Sequence, residues 1–199
     1  MNMIIDRLPL EIVVDGRKYA INSDFRTSML FELMMNDNEL SDEERIKKTL
    51  SLYYPIVPYD RREAMEQILW FYRCAKDMIK TKGSSGGSND KIYDYDFDDT
   101  YIYSAFLDQY NIDLQDTDLH WWKFKALFQS LKEDNKIVEI MGYRSMDLNK
   151  IKDKEEKNRY KKMKELYKIQ NHVSKDETEK MKEIQEALQN GGDISKLLK

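Results

Sequence analysis

The spacing of apolar residues divides the first half of the chain into a short hairpin and a series of helices. In residues 11–21, two short runs that contain Ile, Val and Tyr flank Asp15-Gly16. This pair readily adopts the positive φ angles of a tight two-residue turn, so the segment predicts a β-hairpin. Because an isolated hairpin is only marginally stable in water, we expect this one to pack against the helices.

The two segments after the hairpin are predicted to be amphipathic helices. The first begins near Ser23-Asp24, and its apolar residues recur at helical spacing. The second begins at Ser41, and Glu44 three residues later completes the sequence signature of a capping box. This helix must end before Pro55, because a proline disfavours helical geometry in the residue that precedes it.

The third predicted helix begins at Asp60 and is expected to extend to about Lys80. From Ala64 onwards its apolar residues recur at i, i+4, i+7, i+11 and i+14. Trp70 lies on the opposite, charged side of this helix. A large aromatic side chain on a polar face indicates either that a second layer of the protein covers it or that it contacts a partner.

A further short helix is centred on the adjacent residues Trp121 and Trp122. We expect it to be capped by Asp116, Thr117 or Asp118. Successive helical residues point about 100° apart, so the two tryptophans lie on different faces. Both faces are apolar, and the helix must bury both or bury one and offer the other to a partner. One face comprises Trp121, Phe124, Leu127, Phe128 and Leu131, and the other comprises Leu119, Trp122 and Ala126.

The remaining segments complete a mainly α fold. Residues 81–90 are rich in Gly and Ser, which is typical of a flexible linker or a long loop. Helices are predicted over about 97–110 and 136–141, the latter ending at a glycine. We therefore expect a mainly α domain in residues 1–152, with a small N-terminal β-hairpin, and a charged C-terminal helical extension in residues 153–199. The narrow apolar stripes of this tail fit a coiled-coil-like seam, docking into a groove, or a solvated and partly frayed extension.

The overall composition narrows the class of protein. The chain has 199 residues, of which 41% are hydrophobic and 12% aromatic, enough for a core. Its formal net charge is only −4, whereas a nucleic-acid-binding protein usually shows a basic face, so we expect no nucleic-acid partner. The single cysteine, Cys74, can form no intrachain disulfide, which fits a reducing cytoplasm. No apolar run approaches the length of a membrane span, and we expect neither a membrane segment nor a signal peptide.

Sequence motifs typical of catalytic or metal-binding sites are weak or absent in this chain. His120 and His172 are isolated, and no second cysteine is available to complete a metal site. Residues 94–98 place three aspartates at alternate positions, like the start of a calcium loop, but Asp99 and Ala105 stand where that loop needs Gly and Glu. Neither a phosphate-binding glycine loop nor a hydrolase nucleophile elbow is present. We therefore expect no catalytic residues, no metal, no cofactor and no enzymatic activity.

Several unusual segments follow one another in a specific order and spacing. They include Trp70-Phe-Tyr-Arg-Cys-Ala-Lys76 and Leu119-His-Trp-Trp-Lys-Phe-Lys-Ala-Leu-Phe128. In these segments the chain resembles the bacteriophage gene-product-fifteen family, found in long-tailed phages and prophages of Gram-positive bacteria. The resemblance covers about residues 1–168. The matching blocks are residues 15–27, 70–76, 92–96, 101–114, 119–128 and 140–148.

The resemblance implies a function in phage tail assembly. Genes of this family typically lie between those of the major tail protein and the tape measure protein. This position implies a tail assembly chaperone in the host bacterial cytoplasm, which binds the tape measure protein and helps to recruit the major tail protein into the tail tube. The alternatives are a structural tail component of the virion and a regulatory or host-interaction protein. Self-association into a homo-oligomer stays open.

The candidate protein-interaction residues are large aromatic side chains and one arginine. Trp, Tyr and Arg contribute most of the binding energy at many protein interfaces. On this ground we select Trp70, Trp121, Trp122, Tyr143 and Arg144. We expect Trp70, Trp122 and the Tyr143-Arg144 pair to lie at the surface, with packing in the core as the alternative for each.

Overall fold

The structure, a computed structural model, describes residues 1–76 and 91–169 of the chain. Within these ranges one antiparallel β-hairpin precedes seven α-helices, so the predicted mainly α fold with an N-terminal hairpin is confirmed. The strands are β1 (Glu11–Val14) and β2 (Arg17–Ala20). The helices are α1 (Phe25–Met35), α2 (Asp42–Tyr53), α3 (Arg61–Tyr72), α4 (Asp99–Tyr110), α5 (Trp121–Gln129), α6 (Lys136–Ser145) and α7 (Lys154–Leu166).

The hairpin turns at Asp15 and Gly16, whose φ angles are 50° and 69°. Positive φ at both central residues is what the favoured hairpin turn requires. Ile12 and Val14 of β1 point into the core and are buried. The backbone N–H of Asp15 donates to a Glu63 carboxylate oxygen at 2.7 Å, which links the turn to the first turn of α3. The hairpin therefore packs against a helix, as expected.

The predicted starts of the first three helices are confirmed. Asp24 accepts a hydrogen bond from the backbone of α1, and Asp60 accepts one from that of α3. Ser41 and Glu44 form both hydrogen bonds of the capping box at the start of α2. These caps satisfy backbone N–H groups that have no partner within the helix.

The predicted cap of the double-tryptophan helix is wrong. None of Asp116, Thr117 and Asp118 caps α5, because this helix begins later, at Trp121. His120 is the cap residue instead, and its Nδ1 accepts a hydrogen bond from the Trp122 backbone N–H at 3.1 Å. Since Nδ1 accepts, Nε2 carries the proton and donates to the Pro9 carbonyl oxygen at 3.0 Å.

Helix α3 is shorter than its apolar stripe predicted. It ends at Tyr72 rather than near Lys80, because the chain enters a tight turn in which Cys74 and Ala75 have φ angles of 56° and 55°. The backbone N–H of Ala75 donates to the carbonyl oxygen of Trp70 at 3.0 Å, the long bond of a Schellman-type helix end. Residues 77–90, which include the predicted glycine-rich loop, lie outside the described residues.

The core is organised around the ring of Phe124 on α5. This ring stacks on Phe25 of α1 and on Phe106 of α4, with centroid separations of 5.0 and 4.8 Å. It also stacks on Trp121 at 5.8 Å. Helix α1 packs against α2 and α5, α2 packs against α3, and α4 packs against α6. Aromatic stacking therefore joins helices that are far apart in the sequence.

Helices α6 and α7 complete the compact unit, which runs from Met1 to Tyr167. Helix α6 continues through Gly142 to Ser145, so the predicted end at the glycine is wrong. Helix α7 has no buried residues but packs against α6. The compact unit thus includes α7, although the charged composition of the sequence predicted that the tail begins at residue 153. The further tail helix predicted after Ser174 lies outside the described residues.

In the two described ranges, no helix is both long enough and apolar enough to cross a membrane.

Candidate protein-interaction site

Both adjacent tryptophans lie in the interior and hold the end of α3. Trp121 is fully buried, and Trp122 is 2% exposed. Their indole N–H groups donate to the carbonyl oxygens of Tyr72 and Phe71, at 2.9 and 2.8 Å. These carbonyls are among the last of α3, which lack partners within the helix. The expected surface position of Trp122 is therefore wrong, because α5 buries both of its apolar faces.

Trp70 is one of two candidates that retain exposure; the other is Tyr143. It lies on the outer side of α3, is half-buried, and meets the Trp122 ring edge-on at a centroid separation of 5.7 Å. The sequence indicated that Trp70 is either covered by a second layer of the protein or contacts a partner. Helix α5 lies beside the indole and covers part of it. The rest of the indole remains accessible. Trp70 and Trp122 thus form one aromatic pair at the surface end of the core.

Arg144 lies inside the protein and joins three segments. Its guanidinium donates to both carboxylate oxygens of Asp98, at 2.6 and 2.9 Å. It also donates to the carbonyl oxygens of Ile92 and Tyr167, at 3.0 and 2.6 Å. The side chains of Arg144 and Asp98 are only 4% and 0% exposed. The expected surface position of Arg144 is wrong, because the guanidinium compensates a buried carboxylate.

Tyr143 is half-buried and contacts α7. Its ring stacks on Tyr167 and meets Tyr160 edge-on, each at a centroid separation of 6.0 Å. Its hydroxyl donates to the Glu139 carboxylate. These contacts attach α7 to α6, so both Tyr143 and Arg144 hold the C-terminal part of the compact unit in place.

An open groove lies beside Trp122, between the end of α3 and one face of α5. Its volume is about 370 Å³. It is lined by Met1 and Met3 from the N-terminal segment and by residues 73–76 after α3. The α5 residues that complete it are Trp122, Lys125, Ala126 and Gln129.

Positively charged side chains surround this groove. Arg73, Lys76 and Lys125 line it, and none of the described lining residues is acidic. Burial raises the pKa of the Cys74 thiol, and the nearby ammonium groups of Lys125 and Lys76 act in the opposite direction. The three cations give the groove a positive electrostatic potential, although burial dominates at the Cys74 thiol itself.

The N-terminal segment adds exposed apolar surface next to the groove. The carboxylate of Asp6 and the side chain of Asn2 accept backbone hydrogen bonds that close residues 2–6 into a turn. Met1 and Met3 face the groove, whereas Ile4 and Ile5 are 96% and 80% exposed. Two neighbouring isoleucines held in solvent by a local turn are typical of a surface that meets a partner.

Two of the three alternating aspartates, Asp94 and Asp98, serve the fold. Asp98 is paired with Arg144. Asp94 accepts from the backbone N–H groups of Asp96 and Phe97 and from the ammonium of Lys91. Although burial opposes the change, these hydrogen bonds lower the pKa of Asp94. Within the described part of the chain, no three His, Cys, Asp or Glu side chains are grouped so as to hold a metal ion.

A sequence profile described as Bacteriophage Gp15 protein matches residues 4–169. The chain belongs to this bacteriophage family. Neither curated proteins nor solved structures gave a match to the chain. The family resemblance inferred from the sequence blocks is therefore confirmed over nearly the same residues.

In this Gp15 family protein, sequence reasoning selected part of the candidate site and missed the rest. Trp70 and Trp122 were selected, and the structure brings them together. Met1 and Met3 carried no periodic signal, and the cations at residues 73–76 were assigned to a continuing helix. Arg73 and Lys76 lie within the span of the apolar stripe predicted for this helix, so no signal in the sequence set them apart.

Proposed function

We propose that this protein is a tail assembly chaperone, which binds the tape measure protein of its phage and aids assembly of the tail tube in the host cytoplasm. Membership of the bacteriophage Gp15 family supports a phage function. The order of genes that is typical of the family connects that function to the tape measure. In this proposal the protein acts by covering apolar helices of its partner and catalyses no reaction.

The open groove beside Trp122 is the observation that carries the proposal. A chaperone for a long helical chain needs an apolar surface that accepts amphipathic helices. The groove offers the half-buried Ala126 and the flexible side chains of Met1 and Met3, beside the nearly buried Trp122. Methionine side chains adapt to different partners, which suits a surface that receives several segments of one long chain.

The experiment is co-expression of the protein with the tape measure protein of the same phage. We expect the tape measure protein to be insoluble alone, to become soluble when both are expressed, and to co-purify with a tagged copy of this chain. If the tape measure protein is soluble alone and never co-purifies, the proposal is wrong. Mass spectrometry of purified virions separates a chaperone, which should be absent, from a structural tail component.

A further inference from the structure

The groove has the form of a helix-binding site. The residues that α5 contributes, at 122, 125, 126 and 129, follow i, i+3, i+4 and i+7, so they form one straight ridge along the helix. Ala126 is the smallest of them and lies at the middle, where it makes a notch. An apolar cavity of about 150 Å³ holds a benzene-sized group. A groove of about 370 Å³ therefore has room for about two large apolar side chains from a partner.

Two of the three cations at the groove are held in position by contacts within the protein. The Lys125 ammonium lies over the rings of Tyr72 and Trp121, at 4.9 and 5.3 Å from their centroids. These cation–π contacts hold it at the rim. Arg73 is held by a hydrogen bond from its Nε to the Leu69 carbonyl oxygen at 3.1 Å. A cation that is already positioned loses little side-chain entropy when a carboxylate pairs with it.

We propose that this groove binds an acidic amphipathic helix of the tape measure protein, an inference that rests on the proposed function. Apolar side chains of the partner enter the notch at Ala126 and contact Met1 and Met3. Flanking Glu or Asp side chains of the partner pair with Arg73, Lys76 and Lys125. A basic helix is repelled at the same rim, because its cations face Arg73, Lys76 and Lys125. Complementary charge at such a rim sets which segment is chosen and how fast it associates.

The first test reverses the charge of the rim. Arg73→Glu combined with Lys76→Glu should weaken binding of the tape measure protein about tenfold or more, because attraction becomes repulsion on one side of the groove. The matched control is Arg17→Glu with Lys18→Glu on the exposed strand β2, which changes the net charge equally. The hairpin contacts the first turn of α3, whereas Arg73 and Lys76 follow its last turn. At 1.5 Å per residue, the two ends of this 12-residue helix are about 18 Å apart. The control should bind as the wild type does.

The second test fills the notch without changing charge. Ala126→Leu should reduce binding about tenfold or more, because the added side chain occupies the space that the partner needs. The control is Ser104→Leu, at an exposed position of α4. Thermal unfolding of each variant confirms that it is folded. Loss of binding by a folded Ala126→Leu variant supports the groove, and unchanged binding overturns it.

Cys74 reports occupancy directly, because it lines the groove and is the single cysteine of the chain. Alkylation of Cys74 by iodoacetamide at alkaline pH is monitored by intact-mass spectrometry. The alkylation rate should fall about tenfold or more when an acidic amphipathic peptide is added. A peptide with Lys in place of every Glu is the control and should protect much less. Equal protection by both peptides overturns the charge argument. Protection by phosphatidylglycerol vesicles alone would indicate an anionic lipid and also overturn the inference.

The outcomes separate this inference from the proposed function. If wild-type protein captures the tape measure protein and the groove variants capture it equally well, the function stands and the groove is not its site. If wild-type protein captures none, the function itself is wrong. If Cys74 is protected in concentrated protein without peptide and freed on dilution, a second copy occupies the groove. If it is protected at every concentration, the chain covers its own groove. Either result overturns the inference.

Discussion

Replacing Arg144 with methionine should destabilise the protein severely. Methionine approximates the aliphatic part of the arginine side chain but supplies no hydrogen-bond donor. The variant therefore loses both bonds to Asp98, at 2.6 and 2.9 Å, and the bonds to the carbonyls of Ile92 and Tyr167. One donor near the carboxylate remains, the Asp94 backbone N–H at 2.9 Å. A single amide cannot compensate a charge that is fully withdrawn from water.

The size of this destabilisation follows from the burial of the Arg144–Asp98 ion pair. The Asp98 side chain is 0% exposed, so removal of its partner leaves an uncompensated buried charge, which costs about 3–5 kcal/mol. The total free energy of unfolding of a domain is about 5–15 kcal/mol. In a protein of this size each 1 kcal/mol changes Tm by about 2–4 °C. We therefore expect the Tm of Arg144→Met to fall by about 6–20 °C.

Urea unfolding followed by circular dichroism measures this loss. The matched control is Arg62→Met, because the Arg62 side chain is 90% exposed and pairs with Glu66 on the surface, where an ion pair contributes about 0–1 kcal/mol. Adding Asp98→Asn to Arg144→Met should recover most of the loss, since the buried charge is then gone. A single variant within 1 kcal/mol of the wild type, or a double variant no more stable than the single one, would refute the reasoning.

Three further predictions concern the cap, the turn and the end of the compact unit. Burial lowers the pKa of His120, so the unfolded state binds the proton first and the free energy of unfolding should fall as the pH drops below about 6.5. His120→Asn, which can still cap α5, should remove that part of the pH dependence in urea titrations at pH 5 to 8. Ala75→Gly should stabilise the protein by about 0.5–1 kcal/mol, because glycine adopts φ 55° without strain; Ala105→Gly, within α4, should destabilise it. Truncation after residue 152, which removes α7 and Tyr167, should lower Tm in a thermal melt, because Arg144 then loses the Tyr167 carbonyl as a hydrogen-bond acceptor.

Local signals in the sequence were sufficient for the hairpin and the first helix starts. Asp15-Gly16, Asp24, Ser41 and Asp60 act on backbone groups within a few residues of themselves. Such short-range hydrogen bonds depend little on the rest of the fold. This is why the turn and these caps were predicted correctly.

Positions determined by distant partners could not be predicted in the same way. The apolar stripe of α3 continues past Tyr72, but the helix ends there, where the indoles of Trp121 and Trp122 supply donors to its last carbonyls. Those donors lie about 50 residues further along the chain. Helical periodicity reports which residues are apolar and contains no information about which long-range hydrogen bond ends the helix.

The surface positions expected for Trp122 and Arg144 failed for a related reason. Trp, Tyr and Arg dominate interfaces because they combine apolar area with hydrogen-bond donors, and the same property suits them to the interior when an acceptor is available. Arg144 has Asp98, which is 46 residues away in the chain. Within the described ranges the Trp70 indole has no such acceptor, and it keeps its exposure.

Composition was a poor guide to where the folded unit ends, because charge reports exposure to solvent rather than attachment. Helix α7 has no buried residues, which is why its sequence resembles a tail. Its attachment comes from Tyr167, whose carbonyl accepts from Arg144 and whose ring stacks on Tyr143. The family profile ends at residue 169, and the compact unit ends at Tyr167. Two independent observations therefore place α7 with the helical body, where Arg144 and Tyr143 hold it.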